Sequence, residues 1–272
     1  MSGDPSPSPF LDTAIDAVRR AGALQQAALG GTFQVRKKGV IDLVTEVDLA
    51  CEQMIRALIA ERHPGHDVLA EELGGPTGIE RSRHCWIVDP LDGTTNFAHG
   101  LPIFCCTVAL EVDGRLEVGA VYDPTRDELF TAERGRGAYL NGARLRVSQT
   151  GALIDSLLVT GFPYAAGEQM AELAGLFGAF LGRARAVRRL GSAALDICYV
   201  AAGRMDGFWE QGLNAWDIAA GVLLVEEAGG TVTGLEGGPF ELRTGHLVAS
   251  NGPIHDQMLG VVRAFHAARR AG

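Results

Sequence analysis

Near residue 85 the spacing of apolar residues changes, and that change limits the folds open to the chain. Before it, Phe10, Ala14, Ile15, Val18, Ala21 and Leu24 recur at helical spacing up to Gly30-Gly31. A second helix is predicted from about Glu46 to His63, with Cys51, Ile55, Leu58 and Ile59 on one face and Pro64-Gly65 as its stop. From WIVDP onward the period falls to about two. FCCTVALEV and RLEVGAVYD flank Asp113-Gly114, a hairpin pair; ELFTAER and AYLNGARLRVS follow, with a second tight turn at Asn141-Gly142. Helices followed by antiparallel strands predict an α+β unit over residues 10–150, after a flexible, proline-rich tail at 1–9.

Beyond residue 150 the two kinds of element alternate. SLLVTGF reads as a strand, 168–182 and SAALDICYVAAG as helices, and MDGFWE as a strand. DIAAGVLLVEEA reads as a helix closed by Gly229-Gly230, HLVASN as a strand, and the segment from about Pro253 as an amphipathic helix. This predicts an α/β unit over 151–272, and the seam between two units is where pockets form.

A net charge of −9 argues against a nucleic-acid or anionic-membrane partner, since phosphate backbones need a positive face. A phosphate ester stays open as a ligand if metal ions reverse the local sign. The five cysteines form no C-x-x-C pair and are odd in number, which excludes a disulfide framework and a zinc ribbon. Cys105 and Cys106 read as small buried hydrophobes, and Trp86, Trp209 and Trp216 as core packing. No apolar run approaches the ~18 residues of a membrane span. MSGDPSPSP carries no basic region and no apolar signal core, so the expected compartment is the cytoplasm.

The chemistry concentrates in acids near element ends. In CWIVDPLDGTTNFAHG, Asp89 and Asp92 stand where an apolar strand gives way to Gly93-Thr94-Thr95. A surface turn explains one such acid; a divalent cation with a phosphate beside it explains the pair. Glu71 and Glu72 taken alone read as a solvated turn, Asp217 as a helix N-cap, and Asp48 as the partner of Thr45 in a capping box. If these acids converge they need a counter-ion, because two like charges ~4 Å apart at an effective dielectric of 20 repel by roughly 4 kcal/mol. Hard oxygen ligands without clustered His or Cys point to Mg²⁺, with Mn²⁺ as the second candidate. A glycine-containing turn that opens a helix offers amides to an anion. Carboxylates beside amides are the equipment of phosphoryl transfer. His63 and His66 follow a helix end and read as exposed. Arg188-Arg189 reads as reaching a neighbouring subunit or the substrate.

Longer motifs carry a resemblance. WIVDPLDGTTNF and WDIAAGVLLVEEAGG resemble the two signatures of the inositol monophosphatase family. DLVTEVD, AEE at 70–72 and RRLGSAALDICYVAAGRMDGFWEQGLNAWD are similar to its remaining elements, and the likeness spans about residues 10–265. Ala70 departs from the family's glycine beside the metal-binding glutamate, and the segment between Gly74 and Arg83 matches no motif. The resemblance implies a layered α/β/α/β/α sandwich of two subdomains, a homodimer, Mg²⁺ dependence and inhibition by Li⁺. It implies metal ligation by Glu71, Asp89, Asp92, Asp217 and the carbonyl of Leu91, with Asp48 holding a further ion or its waters. Gly93 and Thr94 would hold the phosphate, and Thr94 with Glu71 would orient the attacking water. Gly191, Ser192 and Ala193 would line the sugar-alcohol pocket, together with Asp92. Glu210 would bond substrate hydroxyls, and Lys37 would ride on a mobile loop.

The implied reaction is direct hydrolysis of a small phosphomonoester. Haloacid-dehalogenase phosphatases use D-x-D, so the D-x-x-D spacing here is out of register for a phosphoaspartate route. Inositol monophosphate leads as substrate. Histidinol phosphate is the runner-up, with fructose bisphosphate and nucleotide 3′-phosphates open on the same scaffold. A regulatory, protein-binding role is the reading from another class.

Overall fold

The computed structural model describes residues 7–31, 35–37, 43–75, 82–163 and 169–271. The flexible-tail expectation therefore falls mostly outside the described residues. Helices α1 (Pro9–Ala28) and α2 (Glu46–Arg62) flank a small antiparallel pair, β1 (Val35–Lys37) and β2 (Leu43–Thr45). α1 starts one residue earlier than predicted, because Ser8 accepts the Leu11 amide and Pro9 suits a first helical turn.

A seven-stranded sheet follows in sequence order: β3 (Asp67–Ala70), β4 (His84–Asp92), β5 (Cys105–Val112), β6 (Arg115–Asp123), β7 (Glu128–Glu133), β8 (Gly137–Leu140) and β9 (Ala143–Arg144). Only β3 runs parallel to its neighbour. The short helix α3 (Thr94–Ala98) sits between β4 and β5. At the predicted hairpin, Asp113 and Gly114 have φ of 50° and 82°, the left-handed pair that a tight two-residue turn requires.

The second sheet is mixed, in the order β11-β10-β12-β14-β13. Its members are β10 (Leu157–Thr160), β11 (Ala186–Arg188), β12 (Gly207–Glu210), β13 (Thr231–Thr233) and β14 (Leu247–Ser250). They alternate with α4 (Met170–Leu181), α5 (Ala193–Ala201), α6 (Ala215–Glu227) and α7 (His255–Ala271). β1, β2, β3, β11 and β13 escaped the sequence reading, whereas β10, β12 and β14, no longer than β3, were found because each sits in an apolar run between helical segments.

Period two deals side chains to opposite faces and so builds the layers. On β4, Trp86 and Val88 face the core under α1 and α2, while Ile87 faces α5 and α6. On the second sheet Val159, Phe208 and Leu247 face α5 and α6, while Leu158, Trp209 and Val248 meet α4 and α7. The architecture is thus the expected α/β/α/β/α sandwich, with α5 and α6 as the central layer. Leu195, Ile197, Ile218, Leu223 and Leu224 in that layer are fully buried. Each such side chain contributes roughly 1.5–3 kcal/mol. A rim ion pair such as Arg134–Glu226 at 3.0 Å contributes about 0–1 kcal/mol, so apolar burial holds the two sheets together.

One expectation is overturned at the far end of β4. His63 and His66 are half-buried, not exposed, in a stack with Phe10, His84 and Trp86. The His66–His84 rings lie 4.3 Å apart and nearly parallel. The Trp86 indole N–H donates to His66 Nδ1 at 3.1 Å, which requires that nitrogen to be unprotonated. Burial, then the neighbouring His84, depress the His66 pKa; burial, then Arg62, depress that of His63. The unfolded chain therefore binds more protons. The stabilisation is complete above the ordinary histidine value of 6.5 and is lost as pH falls through it toward the folded values. The Tm difference between wild type and His66→Gln is expected to shrink from pH 7.5 to pH 5.5. A pH-independent difference contradicts this.

Candidate active site

β4 does not stop after Asp89 but runs through Pro90 and Leu91 to Asp92. Asp89 pairs with Thr107 and Asp92 with Cys105, so two residues of β4 oppose the single Cys106. This is a β-bulge, one of the places a proline fits inside a sheet. In a regular strand two residues three apart point to opposite faces. The extra residue cancels that inversion and brings both carboxylates to one side. Gln25 of α1 steadies the bulge by donating to the Pro90 carbonyl at 2.8 Å.

Both carboxylates open on a cavity of about 280 Å³ at the seam between the two sheets. Glu71, Asp89, Leu91, Asp92, Gly93, Thr94, Gly191, Ser192, Ala193, Glu210 and Asp217 all line it. Glu71 and Asp217, read singly as a solvated turn and an N-cap, are half-buried at its wall. Asn214 is the N-cap of α6, and Asp217, three residues on, accepts the Asn214 amide at 2.7 Å. Lys37 lies in β1, and its side chain is outside the described residues.

Asp92 is the tie between the halves. Its Oδ2 accepts the Ser192 hydroxyl at 2.6 Å and the Ala194 amide at 2.8 Å, at the start of α5. Ser192, read as pocket lining, therefore spends its hydroxyl on the carboxylate and caps α5 besides. Burial pushes the Asp92 pKa up to about 6 against those bonds. Asp89 is 1% exposed, and burial followed by Glu71, Asp92 and Asp217 raises its pKa well above the ordinary range. Asp217 is raised likewise by burial and then Asp92.

Asp48 does not line the cavity but reaches it through Thr94. Fully buried at the first turn of α2, it forms the predicted capping box with Thr45, whose amide it accepts at 2.9 Å. Its other oxygen is 3.0 Å from the Thr94 hydroxyl, which also lies 2.9 Å from the Leu91 carbonyl. Thr94 begins α3 behind Gly93, whose φ of 93° is left-handed and whose position leaves a Cβ only 2.8 Å from the Ile103 carbonyl. Only glycine fits that corner.

At the other end of the cavity Glu210 is 5% exposed, with burial and then Asp217 raising its pKa. Sequence reasoning missed Asp196, Asn214 and the Gly161–Pro163 wall. Asp196 sits inside an apolar helical stretch with no local signal. Its carboxyl is 1% exposed, and one oxygen has no hydrogen-bond partner among the described residues. Arg189 lines the cavity, placing one of the two arginines of the basic pair beside it.

The donor set tests what such a site can hold. Among the described residues no Lys or Arg ion-pairs with Asp89, Asp92 or Asp217, although burial and like charge disfavour their ionised forms. Nor do three acidic, His or Cys side chains already meet at coordination distance; the acids ring the space instead. An all-oxygen, anionic ring of this kind fits a hard divalent cation such as Mg²⁺ or Mn²⁺. No helix among the described residues is long and apolar enough to cross a membrane.

Comparison with known proteins agrees with this geometry. Residues 6–267 match the Inositol monophosphatase family. An inositol-1-monophosphatase of Mesorhizobium japonicum is 45% identical over 268 residues, 96% of this chain and 99% of that protein. The Nus factor SuhB of Escherichia coli is 45% identical over 257 residues, covering 94% of this chain and 96% of its own. The solved inositol monophosphatase of Anabaena superposes with a TM-score of 0.86 at 42% identity, covering 94% of this chain and 95% of that one. The bulged acid pair, the cavity at the seam and these likenesses agree: the chain belongs to the inositol monophosphatase family.

Proposed function

We propose that the protein is a Mg²⁺-dependent phosphomonoesterase that hydrolyses inositol monophosphate by direct attack of water. The observation that carries the reading is the convergence of Glu71, Asp89, Asp92 and Asp217 on one cavity beside Gly93 and Thr94. Glu71, Asp89, the Leu91 carbonyl, Asp92 and Asp217 would hold the metal, with Mn²⁺ as an alternative ion. When bound, it supplies Lewis-acid charge to the phosphoryl and leaving oxygens and lowers the pKa of a nearby water.

The remaining work falls to the chain. The Thr94 hydroxyl has one proton for two acceptors, Asp48 and Leu91, and keeps lone pairs for a water. Glu71, which also lines the cavity, orients that water with Thr94 and takes up its proton, and a solvent water returns a proton to the leaving alcohol oxygen. Amides at the start of α3 meet the phosphoryl oxygens, where charge builds in the transition state. Glu210 hydrogen-bonds substrate hydroxyls at the far end, where Gly191, Ser192 and Ala193 line the wall. A homodimer, Li⁺ inhibition and a cytoplasmic setting accompany this reading.

A second reading, a regulatory protein-binding role, is supported by the Nus factor names of relatives at 45% identity. The test is a phosphate-release panel of inositol 1-phosphate, histidinol phosphate, fructose 1,6-bisphosphate and a nucleotide 3′-phosphate, with and without Mg²⁺. Inositol 1-phosphate is expected to give the highest kcat/KM, with activity abolished by EDTA. No release from any ester, with stoichiometric capture of one protein partner, favours the second reading.

A further inference from the structure

Glu52 is fully buried on α2, one turn beyond Asp48 and one before Arg56, yet no step above uses it. Its oxygens accept the Glu72 amide at 2.8 Å and the Leu73 amide at 3.1 Å. Arg56 Nε donates to the same carboxylate at 2.7 Å. The Arg56 guanidinium also bonds the carbonyls of Val68, at 3.4 Å, and Gly74. Ala70 and Gly74 close the turn between them through an amide–carbonyl bond of 3.2 Å. That turn carries Glu71.

Burying a carboxylate is costly unless it is paired and bonded. Here the counter-ion and both amide donors serve one five-residue turn, which a helix needs for neither its own ladder nor its caps. The stripe Asp48, Glu52 and Arg56, spaced i, i+4, i+8 along one helix face, thus touches two parts of the site. Asp48 meets Thr94, and Glu52 with Arg56 grips the Glu71 turn.

We propose that Glu52 is a positioning residue: through the Glu72 and Leu73 amides it fixes Glu71 relative to Thr94 and Asp89. The inference rests on the metal-dependent phosphatase reading of the same cavity. Removing an outer partner of a metal ligand costs on the order of 10–100-fold in affinity. The probe is Mn²⁺ titrated into substrate-free protein, followed by its electron paramagnetic resonance signal. Glu52→Gln is expected to weaken Mn²⁺ binding about tenfold, and Glu52→Ala more, while KM for inositol 1-phosphate changes by less than about threefold. Arg56→Met should shift Mn²⁺ binding in the same direction.

Wild-type Mn²⁺ affinity and kcat in Glu52→Gln, with only a lowered Tm, overturn the proposal. If the Glu52 variants do not fold, amide exchange in the wild type decides: Glu72 and Leu73 should be protected, and exchange at the rate of free amides overturns it. A wild type that binds Mn²⁺ but releases no phosphate defeats the phosphatase reading and leaves the positioning role standing on the Mn²⁺ titration. A wild type that binds no Mn²⁺ overturns both.

Discussion

Asp89→Asn is expected to lower kcat by on the order of 10²–10³-fold, the loss seen when one fixed electrostatic stabiliser is removed. It should at the same time raise the Tm of the protein in EDTA. The two effects share a cause. Asp89 is held among Glu71, Asp92 and Asp217 at 1% exposure, so its charge is useful only when a cation is present. Asparagine keeps the shape, and its oxygen can keep the 2.9 Å bond from the Leu91 amide. Each kcal/mol of relieved repulsion should add about 2–4 °C. The sign follows from linkage: the folded pKa lies above the ordinary 3.8, so the wild type loses stability as pH rises through the folded value. The variant does not, and its advantage in EDTA should grow from pH 4 to pH 8. Calorimetry across that range checks it. A variant that is less stable than wild type at pH 8 without metal, or that keeps its turnover, contradicts the assignment.

Thr94→Ala is the second large effect. The hydroxyl stands 3.0 Å from buried Asp48 and 2.9 Å from the Leu91 carbonyl, a fixed position on the first residue of α3. Losing a group that orients a proton transfer costs on the order of 10²-fold in kcat. Grip on the substrate comes mainly from elsewhere, so KM should move by less than about threefold. Thr94→Ser retains the hydroxyl and should recover most of the rate. An alanine variant with unchanged kcat, or a serine variant as poor as alanine, removes Thr94 from the mechanism.

The sequence made some of this legible and hid the rest for identifiable reasons. The helical and two-residue periods located α1, α2 and the β5–β6 hairpin because each runs long enough to show its spacing. The layered order rested on the resemblance to a family, since periodicity does not say which faces meet. Asp48 forms the expected capping box on α2, but its bond with Thr94 was in neither reading, because 46 residues of sequence separate the two. Asp89 and Asp92 were visible as a pair but not as neighbours in space, because a bulge is a property of two strands and one strand cannot display it. Glu52 and Gln25 bond backbone groups 20 and 65 residues away, and Asp196 sits within a buried helix. No local pattern marks such residues. The half-burial of His63 and His66 likewise depends on Phe10 arriving from the far end of α1.

The bulge in β4 also sets how this region tolerates changes of length. Deleting Pro90 would leave every acid, the net charge and nearly all of the composition in place, yet turn one carboxylate through the sheet toward α1 and α2. Alignments that permit a gap between the two aspartates would then accept chains unable to assemble the cavity. Here a count of residues, and not their kinds alone, is part of the chemistry.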